Sequence, residues 1–340
     1  MTPRTFLWPA ALLAVAIAFC PARAERPSVS LAQVGRVESS PPPRAGDPAH
    51  GAVSAASLAV VYPNIGEPYR AVFARIIEGI EDRLQARVAS FAVDANADMR
   101  ELAEDLRRRH TRAVIALGRH GLRAATALDG NVRIVIGGVL SVPDAAALDH
   151  AVHSLAPDPE LLFSRLRALM PSIRRVVVVY DPRQNAWLIR VARQAAKAHG
   201  LELITEEASD LAGAVRFYRQ FLGTADPKRD GLWLIQDSTT LDDSTVLPLI
   251  LQGAWTRSLV VISSNVSHVK RGALMALYPD NLALGRSLAE SALDSLAAGA
   301  RAGGEIRPLR QVLAAVNLRT AAHLGIEVRG QRFDLMFPEP

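Results

Sequence analysis

Short polar side chains recur directly after hydrophobic runs that predict β-strands, and these residues are the best placed in the sequence to contact a small molecule. In open α/β sheets, ligands bind outside the carboxyl ends of the strands. Turn formation and helix capping are the alternative role for each residue taken singly. The candidate ligand-binding residues are Asn64, Arg119, Asn185, Asp237, Ser238, Ser264, Asn265 and Asp280.

The chemistry that these side chains offer is binding rather than catalysis. Asn, Ser and Asp side chains can pair with the amine and carboxylate of a small polar solute, and helix N-termini add donors for an anion. On this interpretation Asp237 pairs with a ligand amine, whereas Arg119 either pairs with an acidic ligand group or is simply solvated. No G-x-S-x-G or H-E-x-x-H motif is present, and nothing pairs a nucleophile with a base. We therefore expect no enzyme activity.

Signals for nucleotides, metals and nucleic acids are weak in this sequence. It has no GxxxxGK[ST] motif, and the Gly118–Gly121 step alone does not indicate a nucleotide. His150 and His153 form the only close histidine pair, and without a third ligand they do not predict a metal site. Acids and bases are interleaved at a net charge of +5, and aromatic residues make up 5% of the chain. We expect no cofactor and no nucleic-acid partner.

The first 24 residues have the features of a signal peptide. Arg4 supplies a positive charge, residues 6–19 form an apolar stretch of suitable length, and residues 22–24 (Ala-Arg-Ala) form a cleavage site. An uncleaved membrane anchor and lipidation at Cys20 are the alternatives. Cys20 is the only cysteine, so the processed chain would contain no disulfide and no thiol nucleophile. These features predict an exported protein in a bacterial periplasm.

From residue 56 onwards, predicted strands alternate with predicted helices, which indicates parallel sheets with right-handed crossovers. The clearest strand is Val176–Val179, a β-branched run that predicts a central strand buried on both faces. We predict an α/β fold of two doubly wound parallel-sheet lobes. The predicted segments are a signal peptide (1–24), a disordered Pro/Ser/Gly/Ala-rich linker (25–55), an N-terminal lobe (56–145) with a return crossing near 305–330, a C-terminal lobe (146–300), and a hinge return with a C-terminal tail (301–340).

Motifs in the second half of the chain carry a family resemblance. They are Gly272-Ala273-Leu274, Tyr278 with Asp280, Gly285 with Ala289, and Asn317, Ala321 and Leu324-Gly325. Two earlier blocks, VVVVYDPRQN and LIQDSTTLDDSTV, contribute as well. Together these blocks resemble the periplasmic substrate-binding proteins of ABC transporters, in the group that includes tryptophan- and tyrosine-binding members. The similarity spans about residues 56–330.

The resemblance implies the type I periplasmic-binding fold, with a multi-segment hinge and Venus-flytrap closure around a small solute, often an amino acid. It also implies that the second lobe's side of the cleft is lined by Asn185, Asp237, Ser238 and Asn265. The first lobe departs from the family pattern. Arg119-His120 stand where the family usually has small hydroxyl residues, and residues 138–143 replace its V-x-D-P turn.

Two functions follow from these observations. The first is an exported, monomeric solute-binding protein that delivers a small polar solute, such as an amino acid, to an ABC permease in the inner membrane. The alternative is a non-transport protein of the same fold that serves as a sensor or accessory component of an envelope system. Neighbouring genes would discriminate between them, since a permease and an ATPase beside this gene would favour transport.

Overall fold

Two β-sheets organise the chain. The computed structural model describes residues 57–67, 69–94, 96–126, 128, 132–140, 150–297, 306–328 and 330–339. The strands are β1 (Leu58–Pro63), β2 (Ala89–Val93), β3 (Ala113–Leu117), β4 (Arg133–Val139), β5 (Ala151–Pro157), β6 (Arg175–Tyr180), β7 (Glu202–Glu207), β8 (Asp230–Leu234), β9 (Val260–Ser263), β10 (Met275–Pro279), β11 (Ile306–Leu309), β12 (Val312–Asn317) and β13 (Leu335–Phe337).

Helices pack on the faces of both sheets. They are α1 (Tyr69–Leu84), α2 (Met99–Arg108), α3 (Gly118–Thr126), α4 (Pro159–Leu169), α5 (Pro182–Ala198), α6 (Leu211–Thr224), α7 (Val246–Arg257), α8 (Val266–Arg271), α9 (Asn281–Ala297) and α10 (Leu318–His323). No described helix is long and apolar enough to cross a membrane. The predicted signal peptide (1–24) and linker (25–55) lie outside the described residues.

The strand orders confirm two doubly wound lobes. The first sheet runs β11-β5-β4-β3-β1-β2, and its described pairs are all parallel. The second runs β13-β12-β10-β9-β8-β6-β7, with one antiparallel pair, β10 with β12. The burial predicted for β6 on both faces also holds, because Val176 and Val178 belong to one hydrophobic cluster and Val177 and Val179 to another. However, β6 is the second strand from the edge of its sheet rather than a central one. A strand buried on both faces needs such an uninterrupted apolar run.

Several short elements carry no clear sequence signal. The segment around His153 has no hydrophobic periodicity that predicts a helix or a strand. The structure places it in β5, between β4 and β11. The strands β11 and β13 and the helix α8 were likewise not predicted. Because β11 contains Arg307 and Pro308, its own residues favour a strand poorly, and pairing with β5 determines its conformation.

Three chain segments cross between the lobes, and backbone hydrogen bonds join them. The first crossing runs from β5 into α4, the second from β10 into α9, and the third from β11 into β12. The Asp158 amide donates to the Leu309 carbonyl, and the Asp280 amide donates to the Gln311 carbonyl, both at 2.9 Å. These crossings lie at the carboxyl ends of β5, β11 and β10. The carboxyl ends of the parallel strands in both sheets therefore border the same inter-lobe cleft.

The helix α9 belongs structurally to the first lobe, although its sequence position placed it within the C-terminal lobe (146–300). Its buried residues Leu284 and Leu288 join the cluster that contains Ile76 and Ile80 of α1. The chain crosses back at Asp280, so residues beyond it return to the first sheet. The return crossing therefore begins near residue 280 rather than near 305, because the apolar face of α9 is complementary to α1.

The contact between α1 and α9 depends on two glycines. A Cβ atom on Gly79 would lie 2.0 Å from the Leu282 carbonyl oxygen, and one on Gly285 would lie 2.0 Å from the Ile76 carbonyl oxygen. Both clashes are with backbone, which cannot move aside as a side chain can. The two helices approach this closely only because neither residue carries a side chain.

We expect Gly79→Ala and Gly285→Ala each to lower the free energy of unfolding by about 3 kcal/mol, because the extra methyl forces the helices apart. Urea denaturation of the purified protein measures the change. Gly223→Ala is the matched control, since a Cβ at this helical position of α6 meets nothing within 4 Å. That variant should be equally stable or more stable by about 0.5 kcal/mol. Equal losses in all three variants would contradict the proposed close contact.

Candidate functional site

The Asp237 carboxylate joins the carboxyl ends of β6 and β8 in the second lobe. Its Oδ2 accepts hydrogen bonds from the Asp181 amide at 2.7 Å and from Asn185 Nδ2 at 2.9 Å. Its Oδ1 accepts from the Thr239 amide at 3.0 Å. Asp237 and Asn185 are buried, being 3% and 6% exposed. The structure brings these two predicted site residues into contact, Asn185 from the first turns of α5 and Asp237 from the loop after β8, and their polar groups bond to the protein itself.

A second buried carboxylate, Asp181, lies beside the first. It caps α5 by accepting from the Arg183 amide at 3.0 Å, and it pairs with the Arg183 guanidinium, whose Nη2 lies 2.8 Å from Oδ2. Thr239 Oγ1 donates to the same Oδ2 at 3.1 Å and accepts from Gln184 Nε2 at 3.0 Å. Hydrogen bonding from Arg183, the largest cause, lowers the pKa of Asp181 to about 2. Asp181, Gln184 and Thr239 were not among the predicted site residues.

The end of β9 is anchored in a similar way. Ser264 is buried, and its Oγ accepts from Trp233 Nε1 at 3.1 Å, while its carbonyl accepts from Gln236 Nε2 at 2.6 Å. Asn265 caps α8, accepting from the Ser267 amide at 3.0 Å. Both predicted residues therefore lie at the expected strand end, where they support the local backbone.

A Ser-His-Asp arrangement lies just below this strand end and has no sequence signature. Ser263 Oγ is 2.8 Å from His268 Nδ1, and His268 Nε2 is 3.0 Å from Asp243 Oδ1. Ser263 is fully buried, and its Oγ also accepts from the Asn265 amide at 3.0 Å. Burial lowers the pKa of His268, which favours the neutral ring. A hydroxyl enclosed in this way cannot reach a substrate, so the three residues brace the turn between β9 and α8.

The first lobe contributes exposed polar groups. Asn64 follows β1 and donates from Nδ2 to Asp94 Oδ1 at 2.9 Å, linking the ends of β1 and β2. Arg119 lies in the first turn of α3, directly after β3, and it is exposed. Gly118 precedes it with φ of 68°, the left-handed conformation that lets α3 start immediately at the strand end. Arg119 makes no hydrogen bond or ion pair within the described residues.

The remaining two predicted residues occupy different places. Ser238 is exposed on the loop after β8, and its side chain makes no hydrogen bond within the described residues. Asp280 lies in the second crossing, where its carboxylate caps α9 by accepting from the Leu282 and Ala283 amides. Asp280 therefore stabilises the hinge region, a position that sequence order alone could not distinguish from a strand end.

Within the described ranges, no group of three or more His, Cys, Asp or Glu residues is arranged to hold a metal ion. His153 lies in β5, opposite Arg307 of β11. Burial, followed by the nearby Arg307 charge, lowers the pKa of His153 to about 4.

The two lobes and their cleft agree with a family match in the second half of the chain. The profile described as "ABC transporter substrate binding protein" matches residues 160–331, half of the sequence. The chain belongs to this family. Proteins of this family bind small-molecule solutes and work with an ABC permease. The comparison with curated proteins found no match.

Solved structures with the same fold include three bacterial proteins. One is the ligand-free, open structure of CD0873, a substrate binding protein with adhesive properties from Clostridium difficile. It has a TM-score of 0.60 at 16% identity, and the match covers 82% of this chain and 98% of the CD0873 chain. The ABC domain in complex with L-Trp from Streptococcus pneumoniae has a TM-score of 0.50 at 14% identity. This match covers 82% of the present chain and 98% of the pneumococcal chain. A conserved domain protein from Vibrio cholerae has a TM-score of 0.50 at 17% identity, with coverages of 83% and 99%. These similarities show the type I periplasmic-binding fold.

We expect Asp237→Asn to lower the free energy of unfolding by about 2 kcal/mol, because one of its three amide donors would then face another donor. Chemical denaturation measures the loss. Ser238→Ala is the matched neighbour and should change stability by less than about 0.5 kcal/mol, since its side chain is exposed and makes no hydrogen bond within the described residues. Unchanged stability in Asp237→Asn would exclude the structural role of this carboxylate.

The stabilisation by Asp181 should depend on pH. Its folded pKa of about 2 lies below the usual 3.8, so its contribution is fully present above about pH 4 and is lost as the pH falls towards 2. The difference in unfolding free energy between wild type and Asp181→Asn should therefore be constant above about pH 5 and shrink below pH 4. Denaturation at several pH values measures it, and a difference that does not vary with pH would contradict the ion pair.

Proposed function

We propose that this substrate-binding protein is the exported solute receptor of an ABC-type uptake system and binds a small polar solute between its lobes. The family match over residues 160–331 is the observation that carries the proposal. The position of the crossings supports it, because the carboxyl ends of both sheets border one cleft. Sites between two α/β lobes at strand carboxyl ends are a common place for small ligands.

The mechanism proposed is closure of the two lobes around the solute. A solute that contacts both lobes binds the closed state more tightly than the open state and shifts the equilibrium towards closure. The crossings, joined at Asp158–Leu309 and Asp280–Gln311, would act as the hinge. An ABC permease in the inner membrane is the partner proposed for the closed, monomeric form.

The predicted site residues divide into two proposed roles. Asn64, Arg119 and Ser238 are exposed at strand ends and are proposed to contact the solute directly. The buried or half-buried polar residues hold these strand ends in place, so they shape the site from behind; they are Asn185, Asp237, Ser264 and Asn265. The position of Asp280 supports a role in the hinge. An amino acid or related compound is the solute class that the family resemblance suggests, and the pneumococcal neighbour holds L-Trp.

Export is part of the same proposal. The predicted signal peptide at residues 1–24 would direct the chain to the periplasm, and residues 25–55 precede the two-lobed domain in the sequence. Cleavage after Ala24 would remove Cys20, the only cysteine, and leave a domain without thiols.

The test is thermal melting of the purified protein against amino acids, organic acids, amines and nucleosides. A solute that binds only the folded state stabilises it by about 2.7 kcal/mol at a hundredfold excess over Kd, which raises the melting temperature. Small-angle X-ray scattering of the same sample should show a smaller radius of gyration when the lobes close. A compound that raises the melting temperature without compaction would bind outside the cleft, and no response to any compound class would contradict the proposed function.

A further inference from the structure

Two buried acids at the ends of β6 and β8, Asp181 and Asp237, leave little capacity for a ligand amine. An ionised carboxylate has about four acceptor positions. The Asp237 carboxylate already accepts hydrogen bonds from three protein donors, and the residue is 3% exposed. Asp181 is 1% exposed and holds Arg183, Thr239 and the first turn of α5. A solute ammonium would have to displace internal donors to reach either carboxylate, which is costly for buried groups.

Two acids of the first lobe that the structure describes, Asp94 and Glu67, lie away from the centre of the sheet. Asp94 follows β2, the edge strand of the order β11-β5-β4-β3-β1-β2, and already accepts from Asn64. Glu67 lies in the exposed loop before α1, and its carboxylate accepts a hydrogen bond from the Ala71 amide of that helix. Arg119 follows β3, which is separated from the edge strand β2 by β1. At the usual strand spacing, the ends of β3 and β2 lie about 10 Å apart. At this separation, exposed charges are largely screened at physiological salt.

Arg119 directly follows β3, one of the inner strands of the first sheet. Its side chain is exposed, and among the described residues it makes no hydrogen bond or ion pair. The first turn of α3 contains no acidic residue, and the helix dipole favours negative charge at this end. Across the cleft, the Arg183 side chain at the end of β6 is 70% exposed, and its charge is balanced by Asp181.

We propose that the solute is a small organic anion, with a carboxylate or phosphate group bound by Arg119, and that neither Asp181 nor Asp237 binds a ligand ammonium. This inference rests on the proposed function and narrows its substrate class. Arg is suited to this task because its planar donors bind a carboxylate or phosphate in a two-point arrangement. The charge of the solute, rather than an amino-acid backbone, would then be the main determinant of recognition.

The test compares compounds that differ by one charged group, using isothermal titration and thermal melting of the full chain. Each amino acid is paired with its deaminated acid and its decarboxylated amine, for example L-tryptophan with indole-3-propionate and tryptamine, and L-glutamate with glutarate. Phosphate esters form a separate arm that distinguishes phosphates from carboxylates. We expect Kd to change by less than about 3-fold when the ammonium is removed and to rise at least 30-fold when the anion is removed, because a charge-assisted contact is lost.

Variants at Arg119 test whether this residue causes the preference for an anionic solute. Arg119→Gln should raise Kd for the best anion by about 10- to 100-fold, and Arg119→Lys should recover part of the loss. The melting temperature without solute should not change, because Arg119 has no intramolecular partner within the described residues. Arg219→Gln is the matched control, since this exposed arginine of α6 lies near the opposite end of its lobe.

The outcomes separate this inference from the proposed function. A solute that closes the lobes but binds Arg119→Gln as tightly as wild type, or that needs its ammonium, would overturn the inference and leave the transport function intact. Failure of every compound class to bind would contradict the proposed function, and the inference would fall with it.

Discussion

The joining of the three crossing segments is the constraint on which the rest of this structure depends. Hydrogen bonds from the Asp158 and Asp280 amides to carbonyls of the third crossing hold the segments side by side. Arg310 adds ion pairs to Asp158 and Glu160, with distances of 2.6 and 3.0 Å. Because all three segments cross at the carboxyl ends of their strands, both sheets present those ends to one cleft. If the crossings lay elsewhere, the same strands would not form a shared site.

Buried carboxylates serve mainly as structural acceptors in the second lobe. Each fixes strand-end backbone that no regular ladder can pair: Asp237 holds the Asp181 and Thr239 amides, and Asp181 caps α5. Burying a charge is costly unless hydrogen bonds replace its water shell, and here several donors do so. As a result, the polar groups of Asn185 and Asp237, both predicted to contact a ligand, are hydrogen-bonded within the protein.

The first lobe is completed by a segment that is distant in sequence. Helix α9 follows ten strands of the chain and yet packs on α1, with Gly79 and Gly285 allowing backbone contact. The strand β11 then adds to β5 at the edge of the same sheet. Neither lobe is therefore a continuous stretch of chain, so each depends on the crossings for its own stability as well as for its position relative to the other lobe.

The sequence by itself determined the α/β class, the two sheets and most of their elements. The β-branched run of β6 predicts a strand buried on both faces, because such burial requires an uninterrupted apolar run. Only the tertiary structure decided which side chains are free. The Asp237 carboxylate bonds to an amide 56 residues away, and that contact exists because β6 and β8 are neighbours in the sheet. Strand order also assigned α9 to the first lobe and Asp280 to the hinge. The local sequence pattern of a strand or helix does not indicate these contacts, because they depend on which segments, distant in sequence, pack together.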